Sequence, residues 1–482
     1  MEQSLLSPKK AGIPSSSNEE RGEGFDISWR ASLHEIKNLG QLAAPMILLN
    51  LNQFLISITS LAMSGHVDEL SLSGAAIASS IANVSGFSVL IGLTGALDTL
   101  CGQAFGAQQY RKVGTITYTA IFCLILASIP IAIAWIYMEN ILIFIGQEPA
   151  ISRVAGGYLL HLLPALLAGA FTYPLQRFLQ FQSLIYPMLF MSMSVLFLHG
   201  LVCWSLVYRL GMGANGAAVA TCISYWCIAV SLVLYIAFSS SCDKTRTPLS
   251  TELFGEIKSF LRYAIPSAFM MCLEWWSYEL LILLSGLLPN PELETSVLSV
   301  CLTTLSTLYA FPYGIGSAGS IRISNELGAG NFSAARTAAH CVIFLAFIEG
   351  IVMGATLFLC RNVYGYLFSN EIAVIKYASS ITPLVIMSVI SDSIQGVLTG
   401  IARGCGWQHI GAYINFGAFY FCGIPAAVVL AFVAHLRGRG LWLGIVMGAF
   451  TQVSLMAFVV IRINWREQAV LARERVIDGV LC

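Results

Sequence analysis

The sequence predicts an all-α membrane protein in which twelve transmembrane helices form two pseudo-symmetric six-helix lobes. Three observations predict it. Of the 482 residues, 57% are hydrophobic and only 10% charged, with a mean hydropathy of +0.77. That is too little charge to coat a soluble globule of this size. Apolar segments long enough to cross a ~30 Å hydrocarbon core recur twelve times. The chain also repeats itself once, with Pro45 over Pro266 and Gly92 over Gly314.

The twelve segments fall at 41–65, 71–101, 113–137, 153–175, 186–208, 214–238, 255–287, 296–320, 335–360, 375–402, 410–434 and 440–462. The sixth is weakest at its start, where GANGAA is small and barely apolar. Residues 1–38 are polar, lack the apolar core of a signal peptide and read as a disordered tail. The first span then serves as the insertion signal.

Charge orients the bundle. With both termini inside, nineteen of the 25 Lys and Arg lie on the inner side, so both termini are expected in the cytosol. The sequon at Asn83 then falls within a span and that at Asn331 on the cytosolic side. The zero net charge gives no argument for nucleic acid.

The repeat extends beyond those two pairs. Ser64-Gly65 falls over Ser285-Gly286, Gly106-Ala107 over Gly328-Ala329, Pro164 over Pro383 and Gln176 over Gln395. Six spans is an even number, so the halves share one orientation. Parallel repeats of this kind are a transporter arrangement. We therefore divide the chain into an N-lobe, 39–238; a polar cytosolic linker, 239–254; a C-lobe, 255–463; and a cytosolic C-terminal tail, 464–482.

Two acids break the apolar pattern. Glu274 lies near the middle of span 7 and Asp392 near the middle of span 10. An ionised carboxylate at mid-bilayer costs at least ~2.5–3.5 kcal/mol, so such residues default to function. Stepping by three and four through Glu274 meets Ser267, Met271, Tyr278, Ile282 and Ser285. Stepping through Asp392 meets Ser388, Gln395 and Thr399. Each acid thus sits on a polar stripe that does not suit lipid. Glu274 has no acidic twin: Gln53 stands at its position in span 1. Charge chemistry is accordingly assigned to the second half.

Other features read as packing. Gly314-Ile-Gly316-Ser-Ala-Gly319 matches GxGxxG but lies in a span with no preceding strand, and no P-loop occurs. Small-residue pairs such as Gly102/Gly106 and Gly396/Gly400 read as helix contacts. The thirteen Cys are scattered without ligand spacing, and His161, His199 and His340 lack spaced partners, so no metal site is expected. Asp98 reads as an inner-loop or capping residue. Glu279 and Glu349 read as groups that meet neighbouring helices.

LDTLCGQAFGA, PLQRFLQFQS, CLEWWSYELLILLSGLLPNPELETSVLS, RISNELGAGN and GVLTGIARGCGWQ together resemble the plant DETOXIFICATION branch of the multidrug and toxic compound extrusion (MATE) transporters, over about residues 33–463. The resemblance implies a V-shaped pair of lobes around a central cavity. It implies efflux of organic, often cationic or amphipathic, compounds against inward movement of a cation, usually H⁺ in eukaryotic members. The family's C-lobe acids map onto Glu274 and Asp392. The span 1 acid of bacterial and archaeal members has no counterpart here. Tyr309, Asn415 and Tyr420 are the implied cavity residues, beside Tyr278 and Gln395 from the polar stripes and Gln53 from the span 1 position that matches Glu274.

The expected activity is therefore H⁺-coupled antiport of xenobiotics or plant secondary metabolites. It needs no cofactor beyond the coupling ion and is carried out by a lipid-embedded monomer of the plasma or vacuolar membrane. A Na⁺-coupled or uncoupled transporter or flippase shares the architecture. A polytopic membrane enzyme would want a His/Asp or Cys/His pair at one membrane face, and the sequence offers none.

Overall fold

In the computed structural model, residues 29–367 and 371–478 are described. Every regular element among them is helical. The spans are α1 (Trp29–Gly65), α2 (Glu69–Gly106), α3 (Tyr110–Ile136), α4 (Pro149–Phe181), α5 (Ile185–Arg209), α6 (Gly213–Phe238), α7 (Ile257–Ser285), α8 (Pro291–Gly328), α9 (Phe332–Cys360), α10 (Ile372–Cys405), α11 (Gln408–Val433) and α12 (Arg437–Ile461). These twelve occupy the predicted segments, with ends shifted by at most eight residues except at α1, which begins at Trp29 rather than at 41. Helix is the only open-ended way to carry a backbone through lipid with its polar groups satisfied.

Both ends of the chain add helix beyond the twelve predicted spans. The sequence predicts a disordered tail over 1–38; residues 1–28 lie outside the described residues, but 29–38 are helical. Glu35 explains why. It is buried and receives two hydrogen bonds from the Arg322 guanidinium, at 2.8 and 3.1 Å, while Leu39 is fully buried one turn on. At the other end, Trp465–Asp478 forms a further helix, α13. Arg475 of α13 donates to the carbonyl of Cys405 at 2.9 Å, and Lys112 of α3 donates to the carbonyl of Val476 at 3.0 Å. The tail therefore straps both halves rather than trailing from them.

The repeat governs how the halves meet. Gly92 of α2 packs on the backbone of Ala268 in α7, and its twin Gly314 of α8 packs on Ile47 in α1. Deeper, Gly106 abuts the carbonyl of Asn325 and Gly328 abuts the carbonyl of Gln103. The pairs are related by the same offset as the sequence repeat, so the pseudo-twofold axis passes between α2 and α8. Only glycine permits this backbone approach. Gly106→Val is expected to prise α2 from α8 and cost about 1–3 kcal/mol by overpacking. A lower melting temperature in detergent would report it; unchanged melting would mean the crossing is not populated.

The apolar core follows the same geometry. One core runs through the first half and on into the ends of α8, α9, α10 and α13 nearest the chain termini. A second, separate core, including Leu281, Val297, Val385 and Trp442, fills the far part of the second half. The halves thus fuse at the end that carries the termini and part at the other.

Interior prolines in α1, α3, α4, α7 and α10 are accommodated without breaking the helices. Wide π-turns at Ser205–Arg209 and Val429–Val433 occupy corresponding places near the ends of α5 and α11. The twelve cysteines among the described residues are free. Cys242, in the linker, is fully buried, and burial pushes its thiol above the usual range, which makes it a poor nucleophile.

Candidate transport cavity

Between the halves lies a cavity of about 410 Å³ lined from α1, α2, α4, α6, α7, α8 and α10. Gln53 and Asn50 face it from α1, Gln176 and Arg177 from α4, Glu274, Tyr278 and Glu279 from α7, Tyr309 and Tyr313 from α8, and Asp392 from α10. The two mid-span acids of the second half therefore share one chamber. Both are nearly enclosed, at 8% and 7% exposure.

Glu274 is held by amides. Its Oε2 accepts from Gln395 Nε2 at 2.7 Å, from Gln452 Nε2 at 3.4 Å and from Asn415 Nδ2 at 3.5 Å. The amides are themselves fixed: Asn415 donates to the carbonyl of Met270 at 2.6 Å, Gln452 donates to Asn415 Oδ1 at 2.8 Å, and Gln395 donates to Thr399 Oγ1 at 3.1 Å. Neutral donors orient a carboxylate without ion-pairing with it, so a proton or a mobile cation can still compete for it. Asp392 faces the Tyr278 hydroxyl and lies within electrostatic range of Glu274. One turn away, Ser388 accepts from Trp442 Nε1 at 3.1 Å, which steadies α10 against α12.

The predicted site residues divide into two groups. Glu274, Asp392, Gln53, Tyr278 and Tyr309 line the chamber. Gln395, Asn415 and Tyr420 do not, contrary to expectation. The two amides are drawn behind Glu274 by the bonds above. Tyr420 lies within the wide turn Phe416–Gly423 and stacks on Phe416, ring centroids 5.7 Å apart.

Asp98 overturns a second expectation. It caps nothing and lies in no loop. It is wholly enclosed, with Arg177 Nη1 3.4 Å from one oxygen and Arg403 Nε 3.4 Å from the other. Arg177 and Arg403 belong to the nineteen inner-side charges that orient the chain, yet both are buried. Arg177 also donates to Tyr313 Oη at 2.9 Å and to Gln180 Oε1 at 3.0 Å. Sequence reasoning missed this cluster, and it missed Gln452. That residue carried a signal, because it is an amide near the middle of an apolar span.

The remaining polar groups behave as packing. His199 lies between Ser60 Oγ and Ser224 Oγ at 3.2 and 2.8 Å. His161 Nδ1 sits 2.7 Å from the carbonyl of Gly157. Glu349 of α9 faces Ser393 of α10, and Glu279 faces Ser80 of α2 at the cavity edge. Among the described residues no three His, Cys, Asp or Glu side chains cluster as metal ligands.

Comparison with known proteins bears on this architecture directly. The MatE family model matches residues 45–205 and 266–429, once in each half. Protein DETOXIFICATION 12 of Arabidopsis thaliana is 52% identical over 441 residues, 92% of each chain. Protein DETOXIFICATION 14 of the same plant is 50% identical over 444 residues, again 92% of each. The crystal structure of the eukaryotic MATE transporter AtDTX14 superposes with a TM-score of 0.90 at 50% identity, covering 92% of this chain and all of that one. An outward-facing multidrug resistance MATE transporter shares the fold at 16% identity, with a TM-score of 0.80 over 91% of this chain and 97% of that one. A duplicated twelve-helix bundle with a chamber between its halves, matched over nearly its full length, makes this chain a member of the MatE family and a membrane transporter, not an enzyme.

Proposed function

We propose that this transporter exports organic, often cationic or amphipathic, compounds from the cytosol in exchange for H⁺, with Glu274 and Asp392 as the groups that hold the proton. The observation that supports this reading most is the pairing of two enclosed acids on one cavity wall, with amides and a tyrosine rather than a bonded cation around them. When ionised, they make the chamber negative and attractive to an organic cation. When protonated, they make it neutral and release that cation. Tyr278, Tyr309 and Tyr313 supply aromatic faces on which a flat cation can rest.

The driving force suffices. Two pH units supply about 2.7 kcal/mol at ~1.36 per unit, and 100 mV adds about 2.3. One proton then supports an uphill ratio above roughly a thousandfold for a neutral substrate. For a monovalent cation exchanged one for one, the potential drops out. The pH gradient alone then sets a limit of about a hundredfold.

We further propose cytosolic termini, a monomeric unit, and residence in the plasma or vacuolar membrane, both of which export away from the cytosol. Purified protein in sealed proteoliposomes tests the coupling. An imposed pH gradient is expected to drive accumulation of a cationic dye, and a Na⁺ gradient alone is not. Dye movement indifferent to pH, or driven by Na⁺, would overturn the proposal.

A further inference from the structure

We propose that Arg403 is a positioning residue that ties the charge on Glu274 to closure of the cavity at the end carrying the chain termini. This rests on the proton-antiport reading above and goes beyond it. The cluster Asp98, Arg177 and Arg403 joins the halves, since Asp98 and Arg177 belong to α2 and α4 and Arg403 belongs to α10. Around it runs a polar seam across the same boundary. Gln103 donates to the carbonyl of Gly404 at 3.1 Å, and Gln408 donates to Thr99 Oγ1 at 2.6 Å. The seam cannot persist if the halves swing apart at this end.

Helix α10 connects the seam to the acids. Asp392, Gln395, Thr399 and Arg403 are spaced by three, four and four residues, which places them along one face of a single helix. Gln395 bonds Glu274 and Thr399, and Arg403 follows one turn below. Arg403 also lies within electrostatic range of Glu274. Its guanidinium lies 5.7 Å from the Tyr313 ring centroid, and that same tyrosine's hydroxyl accepts from Arg177.

Charge balance then does the coupling. The seam holds two guanidiniums and one carboxylate, an excess of one positive charge in an enclosed site. An ionised Glu274 balances it. A proton or a cationic substrate that neutralises Glu274 leaves the excess uncompensated, which weakens the closed seam. The empty, ionised transporter is thereby kept shut, while the loaded one is free to change over. An exchanger needs this rule to avoid leak.

The groups facing Arg403 are few. They are Asp98 of α2, Arg177 of α4, Glu274 of α7, and Tyr309 and Tyr313 of α8. Elsewhere, Glu349 of α9 faces α10 ten positions back at Ser393, and Arg439 of α12 meets it at Ser380, at its other end. Arg475 of α13 binds the carbonyl of Cys405. His409 of α11 has Arg262 and Arg475 as its charged neighbours.

Cys405, fully buried beside the seam, reports opening. In proteoliposomes without substrate, N-ethylmaleimide labelling of Cys405, quantified by peptide mass spectrometry, is expected to rise at least about fivefold as pH falls through the titration of the acids. Glu274→Gln should label fast at every pH. Arg403→Gln should lose the pH dependence, because Asp98 and Arg177 then balance each other alone, whereas Arg403→Lys should keep it. His409→Gln should label like wild type. A steep pH dependence retained in Arg403→Gln, or lost in His409→Gln, would overturn the role given to Arg403. Failure of the antiport reading is separate: it would appear as dye transport by wild type that ignores the pH gradient.

Discussion

Glu274→Gln and Asp392→Asn are each expected to yield folded, membrane-inserted protein that no longer concentrates a cationic dye. The accumulation ratio should fall from as much as about a hundredfold under two pH units to about one. Folding is spared because each substitution keeps the shape of the side chain and removes a buried charge, which lipid and protein interior alike disfavour. At Glu274 the amide can still meet Gln395, Gln452 and Asn415 after they reorient. Export fails because a permanently neutral side chain neither carries a proton nor attracts a cation. The binding defect has a sign. At high pH the wild-type acids are ionised and the mutants lack that attraction, so dye binding should weaken most there. At low pH wild type is itself neutral, and the difference should shrink. Wild-type export in either mutant would reduce that acid to a structural group.

Asp98→Asn is expected to have the largest effect on stability. The side chain is completely enclosed between two arginines, and neutralising it leaves two guanidiniums facing each other without a counter-charge. Removing one partner of a buried ionic group costs about 3–5 kcal/mol, enough to remove most folded protein from the membrane. Arg403→Gln should be milder, because Asp98 keeps Arg177. The double variant Asp98→Asn with Arg403→Gln should recover part of the loss, since a single arginine then remains beside Tyr313 and Gln180. Melting temperatures in detergent distinguish these cases. An Asp98→Asn protein that melts like wild type would mean the cluster contributes little to the closed state.

Much of this molecule was legible in its residues because the bilayer leaves so few choices. Span length and apolar composition mark a helix wherever the backbone must satisfy itself, and the repeat of Gly92/Gly314 and Gly106/Gly328 marks where the halves touch. The acids were equally visible, since Glu274 and Asp392 are costly wherever they sit in an apolar run. Partners are harder to read. Arg177 and Arg403 lie close to span ends, where a positive charge ordinarily reaches water, and nothing in their own segments shows that Asp98 of α2 draws both inside. Gln395 reads as a cavity group because it lies on the polar stripe through Asp392, and Asn415 only because the family resemblance implies it. Which way an amide turns is decided by the helix packed against it, here Met270 and Glu274 of α7. Helix α13 escaped because its composition is that of a solvated tail, and its contacts with Cys405 and Lys112 arise only once the bundle exists.

Competition between substrate and proton for Glu274 and Asp392 is read out by proton release on substrate binding. Purified protein in lightly buffered detergent solution, near the pH at which the acids titrate, is mixed with a tetraphenylphosphonium salt while a pH indicator is followed. Wild type is expected to release about one proton per bound cation. The double variant Glu274→Gln, Asp392→Asn is expected to release none at concentrations that saturate it. Equal release from the double variant, or saturable binding to wild type with no proton released across the whole titration range, would rule out proton exchange at these two acids.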